Sequence, residues 1–142
     1  MKVSQAMTAN VRVATPSQTI REAAQAMADL DAGVLPVGEG DKLVGMITDR
    51  DIAVRGIAQG KGPDTSVRDV MSREVKYCFD DQEIEEVARN MGDIQVRRLP
   101  VVDRNKRLVG IISLGDIANT REPTADDALS GISRPGGEHS QT

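Results

Sequence analysis

Apolar positions recur at helical spacing twice along this chain. Over residues 19–31, Ile20, Ala23, Ala24, Met27 and Leu30 fall on one face of a 3.6-residue period, which predicts an amphipathic helix. Thr19 with Glu22 three residues later forms a capping box at its start, and Gly33 is the expected stop. Two short apolar runs follow, residues 34–37 and 43–48, separated by Gly38-Glu39-Gly40-Asp41-Lys42. That pattern predicts a β-hairpin with a glycine-rich turn. Residues 49–59 then predict a second helix, ended by Gly60. The series returns downstream. Ile84, Val87, Ala88, Met91 and Ile94 each stand 64 residues after their counterparts in the first helix. Strands are expected over residues 98–102 and 107–113, joined by the turn Asp103-Arg104-Asn105-Lys106. A short extended piece, residues 11–13 or 75–78, precedes each first helix.

The duplication extends to sequence. Leu35-Pro36-Val37, Leu43-Val44-Gly45-Met46-Ile47-Thr48 and Asp51-Ile52-Ala53 return as Leu99-Pro100-Val101, Leu108-Val109-Gly110-Ile111-Ile112-Ser113 and Asp116-Ile117-Ala118. The offset is 64 from Pro36 to Pro100 and 65 from Gly45 to Gly110, so one residue has been inserted between those landmarks, in the region of the 103–106 turn. Exposed turns tolerate insertions best. The chain is therefore divided into a first repeat (3–60), a linker (61–66), a second repeat (67–120) and a flexible tail (121–142), in which Pro, Gly, Ser and acidic residues replace the periodic pattern. A unit of about 55–60 residues is marginally stable alone, so the two copies are expected to pack together. The expected fold is of the α/β (α+β) class, with a small sheet and flanking helices in each repeat, related by a pseudo-twofold axis with a cleft.

Each copy ends its second hairpin strand in a hydroxyl followed three residues later by an aspartate: Thr48 with Asp51, and Ser113 with Asp116. The simplest reading is a capping box, in which the hydroxyl accepts from an early helical N–H and the acid answers it. The same geometry suits a nucleotide, since the hydroxyl can donate to a phosphate and the aspartate can accept from a ribose diol. The two readings are compatible.

Composition narrows the classes of function. The net charge of −4 and the lack of a basic run argue against a binder driven by nucleic-acid phosphates. One Tyr, one Phe and no Trp leave no platform for stacking single-stranded bases. Cys78 is the only cysteine, so no intrachain disulfide forms, and it is expected to be a small buried strand residue. His139, the only histidine, lies in the expected tail, which removes ordinary His-based triads and His metal sites. No apolar stretch approaches the roughly 20 residues of a membrane span, and no hydrophobic signal core opens the chain. The expectation is a cytoplasmic, non-enzymatic protein with no metal site.

The duplicated pattern resembles the CBS domain, and the pair resembles the tandem CBS (Bateman) module. The features are Val3 to Met7 leading into the first strand, the Leu-Pro-Val strands, and the Gly-Met-Ile-Thr-Asp-Arg-Asp-Ile stretch with its second-copy counterpart, over about residues 3–120. Residues 48–60 and Val96-Arg97-Arg98-Leu99-Pro100-Val101 are most similar to small stand-alone bacterial CBS-pair proteins, a group that includes the hypoxic-response protein. The resemblance implies a regulatory module that binds AMP, ADP, ATP or another adenosyl compound in composite clefts, requires no cofactor, forms a homodimer and acts through an unidentified regulated protein. Carried onto this chain, one cleft joins Ala9, Ala32 and Gly33 to Arg98, Ser113 and Asp116. The other joins Arg73, Val96 and Arg97 to Val34, Thr48 and Asp51. The first is expected to be the stronger, because Arg98 offers a planar fork of donors to phosphate, whereas Val34 stands in its place in the second. The alternative is a structural homodimer or protein–protein adaptor with vestigial clefts.

Overall fold

The computed structural model describes residues 1–120. In chain order the elements are α1 (Val3–Ala6), α2 (Ile20–Leu30), β1 (Val34–Glu39), β2 (Lys42–Thr48), a π-helix (Asp51–Gly56) running into a 3-10 turn (Ile57–Gln59), a second 3-10 turn (Val67–Asp69), β3 (Cys78–Phe79), α3 (Ile84–Ile94), β4 (Arg98–Val102), β5 (Leu108–Ser113) and α4 (Leu114–Ala118). Strands β1 and β2 form an antiparallel hairpin; β3, β4 and β5 form a sheet in that order, parallel at β3–β4 and antiparallel at β4–β5. This is the expected α+β class. The expected tail and His139 lie outside the described residues.

Local chemistry accounts for most element boundaries. Thr19 caps α2 as expected: its Oγ1 accepts from Glu22 N at 3.1 Å, and Glu22 Oε1 accepts from Thr19 N at 3.0 Å. The helix stops two residues before Gly33, at Asp31, which takes the left-handed conformation at φ 52°. Gln95 does the same after α3, at φ 57°. Asp is among the residues that tolerate this region. The expected helix over residues 49–59 forms, but much of it is π-helix rather than α-helix. The first extended pieces pair slightly later than expected, at Ala14 beside Val37 and at Cys78–Phe79 beside β4, because pairing partner rather than local sequence sets where they join the sheet. Along α2, Ile20, Ala23 and Met27 are buried as expected, while Ala24 is exposed and Ala26 is buried in its stead. Leu30, at the frayed end of the stripe, is 46% exposed.

The chain divides into two units. Among the described residues, one comprises Arg12–Val75; the other comprises Met1–Val11 together with residues 76–120. Each lead segment thus belongs with the body of the other repeat. Val3 is fully buried among Cys78, Ile84, Val87, Met91, Leu99, Ile112 and Ile117. Val67, Val70 and Met71 are buried among Ile20, Ala23, Met27, Leu35, Val37 and Ile47. Backbone pairing fixes the docking: Thr8 N donates to Ile111 O at 2.8 Å and Ile111 N donates to Thr8 O at 3.0 Å, while Ser72 and Met46 exchange bonds of 2.8 and 2.9 Å. Gly110 and Gly45 make this approach possible. A Cβ on Gly110 would lie 2.7 Å from Thr8 O, and one on Gly45 would lie 2.7 Å from Ser72 O.

Candidate ligand-binding site

The two hydroxyl–aspartate pairs occupy matching places, one in each unit. Both are full capping boxes, as the simplest reading expects. Asp51 N donates to Thr48 Oγ1 at 3.0 Å, and Thr48 N donates to Asp51 Oδ2 at 3.0 Å. Asp116 N donates to Ser113 Oγ at 3.0 Å, and Ser113 N donates to Asp116 Oδ2 at 2.9 Å. The cap leaves chemistry unspent. Each hydroxyl accepts one bond and keeps its own proton to donate. Each carboxylate commits Oδ2 and keeps Oδ1; at Asp51 that oxygen lies 3.9 Å from Arg55 Nη1. All four side chains are half-buried.

Strand register decides which candidate residues join each pair. In the unit containing β5, Arg98 stands opposite Ser113, and Leu114 N donates to Arg97 O at 3.0 Å. Arg98, Ser113 and Asp116 are therefore brought together. Ala9 follows Thr8, which pairs with Ile111. Antiparallel continuation sets Ala9 three register positions from Ser113, roughly 10 Å along the strand. Val96 N closes the end of α3 on Met91 O, leading into Arg97. The other unit repeats the scheme. Val34 stands opposite Thr48, Asp49 N donates to Gly33 O at 2.9 Å, and Ala32 N bonds Met27 O at 3.0 Å. Arg73 follows Ser72, which pairs with Met46, and so lies three positions from Thr48. Neither Arg97 nor Arg98 has an ion-pair partner among the described residues.

Residues 31–33 and 95–97 run from a left-handed helix end into a strand, which is why Ala32, Gly33, Val96 and Arg97 are half-buried rather than enclosed. Asp49 is not among the candidate site residues, yet its carboxylate lies against Gly33: a Cβ there would meet Oδ2 at 2.8 Å. The signal available was its place directly after the Thr48 hydroxyl.

A cavity of about 360 Å³ opens elsewhere, between the polar flank of α2 and the segment before it, lined by Arg12, Gln18, Glu22, Gln25 and Asp29 among others. It contains none of the candidate residues. Cys78 is buried as expected, and desolvation pushes its thiol up to about 12, so it is no thiolate at neutral pH. Among the described residues no group of three or more His, Cys, Asp or Glu side chains is placed to hold a metal ion. No helix among them is long and apolar enough to cross a membrane.

Comparison with known proteins agrees with this geometry. The CBS domain family model matches residues 3–55 and 67–122. Hypoxic response protein 1 of Mycobacterium tuberculosis is 41% identical over 114 residues, 79% of each chain. The crystal structure of Hypoxic Response Protein I with two coordinated zinc ions matches with a TM-score of 0.75 at 37% identity, over 84% of this chain and 98% of that one. CBSX2 in complex with AMP matches with a TM-score of 0.75 at 27% identity, over 84% of this chain and 95% of its own. The CBS domain pair of MJ0100, in complex with 5′-methylthioadenosine and S-adenosyl-L-methionine, matches with a TM-score of 0.72 at 30% identity, over 85% and 95%.

Proposed function

The chain belongs to the CBS-domain family, and from that premise we propose that it is a cytoplasmic, non-catalytic regulatory module that binds an adenine nucleotide or related adenosyl ligand. The observation that carries this reading is the repeated hydroxyl–aspartate pair, in which both members retain hydrogen-bonding capacity after capping. Asp116 presents an uncommitted Oδ1 to a ribose diol, Asp51 presents one that faces the Arg55 guanidinium at 3.9 Å, and Thr48 and Ser113 present a hydroxyl proton to the 5′ substituent. The residues that the family resemblance assigns to the base are Ala9, Ala32, Gly33 and Val96, with Arg73 and Arg97 beside them. AMP in one relative and two adenosyl compounds in another support the ligand class. Output then follows from tighter binding to one arrangement of the module and is read by a regulated protein.

A thermal-shift screen with AMP, ADP, ATP, S-adenosylmethionine, NAD and coenzyme A tests this. A ligand at about 100 times its Kd stabilises by roughly 2.7 kcal/mol, a shift of several degrees for a domain of this size. Silence across the panel contradicts the proposal.

A second reading, a structural homodimer or adaptor, is favoured by one observation. Val54 and Ile57, one turn apart, are 41% and 56% exposed. Light scattering after size exclusion distinguishes it: a dimer that Ile57→Asp dissociates, with no adenosyl ligand bound, supports the adaptor.

A further inference from the structure

The two hydroxyl–aspartate pairs match in geometry but not in charge. Arg98 stands beside Ser113 in the β4–β5 register, half-buried and without an ion-pair partner among the described residues. Val34 stands beside Thr48 in the equivalent place. The residue after each hydroxyl differs as well. Leu114 is buried in the core. Asp49 is exposed, its Oδ2 lies over Gly33, and its Oδ1 accepts only the backbone N–H of Arg50, at 2.8 Å. The charged groups that the register and the cap place beside Ser113 are therefore Asp116 and Arg98, with Arg97 at the preceding position, its carbonyl bonded to Leu114 N at 3.0 Å. Those nearest Thr48 are Asp49 and Asp51, with Arg55 only 3.9 Å from Asp51 Oδ1. Arg50 is exposed on the following position, and Arg73 lies roughly 10 Å away along the strand.

We propose that the two pairs select different ligand classes. Ser113 and Asp116, with Arg98, take an adenosine bearing a 5′-phosphate. Thr48 and Asp51, with Asp49, take an adenosine whose 5′ substituent is neutral or cationic. A phosphate at Ser113 gains a charge-assisted bond from a fork of donors. A phosphate brought to Thr48 enters the field of two carboxylates, one of them without an ion-pair partner among the described residues; a thioether or sulfonium meets no such penalty. Asp49 and Arg98 are thus specificity-determining residues. The inference rests on the adenosyl reading above.

Calorimetry on the full chain tests it, with AMP and 5′-methylthioadenosine as probes and Arg98→Gln and Asp49→Asn as variants. Asn keeps the oxygen that caps Arg50, and both positions lie outside the buried core. In the unsubstituted protein each probe binds without displacing the other. Arg98→Gln weakens AMP roughly 10–100-fold, the range of a lost charged hydrogen bond, and leaves methylthioadenosine unchanged. Asp49→Asn lets AMP compete for the methylthioadenosine site. The inference is overturned if the two probes displace each other at one site, if Arg98→Gln weakens both equally, or if Asp49→Asn leaves AMP excluded. If neither probe binds the unsubstituted protein, the adenosyl reading itself falls.

Discussion

Gly110→Ala and Gly115→Ala are the same substitution five residues apart, yet they should move stability in opposite directions. At Gly110 the new Cβ would meet Thr8 O at 2.7 Å and Met7 Sδ at 2.8 Å, whereas ordinary contact begins at 3.4 Å. The lead segment must retreat by about 0.7 Å, the difference between those two distances. That movement breaks or stretches the two backbone bonds between Thr8 and Ile111, each with a net contribution of about 0.5–1.5 kcal/mol. It also loosens Met7, packed against the core that buries Val3. The expected loss is roughly 2–4 kcal/mol. At Gly115, inside α4, the nearest atom to a new Cβ is Ser113 Oγ at 3.6 Å. Nothing must shift, and the helix gains roughly 0.5–1 kcal/mol from the lower backbone freedom of alanine. Urea unfolding curves measured by circular dichroism read both changes. If Gly110→Ala unfolds at the wild-type midpoint, the lead segment is not docked on β5 as described. If Gly115→Ala is destabilised as much as Gly110→Ala, the close approach is not the cause.

Other consequences can be measured together. Thr19→Ala removes the cap acceptor for Glu22 N and should cost about 1 kcal/mol, while Thr19→Ser restores most of it, both read by urea midpoint. Burial raises the Cys78 thiol from 9.0 to about 12, so its contribution is fully present below pH 9 and is lost as pH rises toward 12; Cys78→Ala should show a shallower alkaline fall in melting temperature. Hydrogen bonding to Arg104 holds the Asp81 carboxyl below its usual value, and hydrogen bonding to Lys2 and the N-terminal ammonium does the same for Glu83. Both contributions are present above the ordinary pKa values of 3.8 and 4.5 and disappear as pH falls through the lowered ones. These groups are exposed, so the effect is small, and Asp81→Asn should flatten the melting profile between pH 5 and pH 3 only slightly, by roughly a degree or two.

The repeat carried most of the fold in plain view. Period-3.6 stripes located α2 and α3, a glycine-bearing turn and its polar counterpart at residues 103–106 located the hairpins, and Thr19 with Glu22 fixed a helix start to the residue. These are local signals, and local physics sets them. The exchange of lead segments was not legible, because Val3 and Val67 sit in nearly identical local patterns and only distant partners decide which core each enters. Gly45 and Gly110 were visible as parts of a motif, but the carbonyls that require them lie some 27 and 102 residues away in sequence, at Ser72 and Thr8. The π-helix following Thr48 was also hidden: a sequence pattern marks helix without marking which carbonyl each N–H chooses. For the candidate site, the hydroxyl–aspartate pairs were visible from spacing and duplication, and Arg98 came from the family resemblance. The place of the Asp49 carboxylate was not visible, since the fold brings it against Gly33, sixteen residues earlier.

The central claim is that the hydroxyl–aspartate pairs hold an adenosyl ligand. Nitrogen-15 correlation spectra recorded during an AMP titration test it most directly, because the amides of Ser113 and Asp116 are themselves partners in the cap. The account predicts saturable shifts concentrated at Arg98, Ser113 and Asp116. Saturating AMP that leaves these three amides unmoved would contradict it.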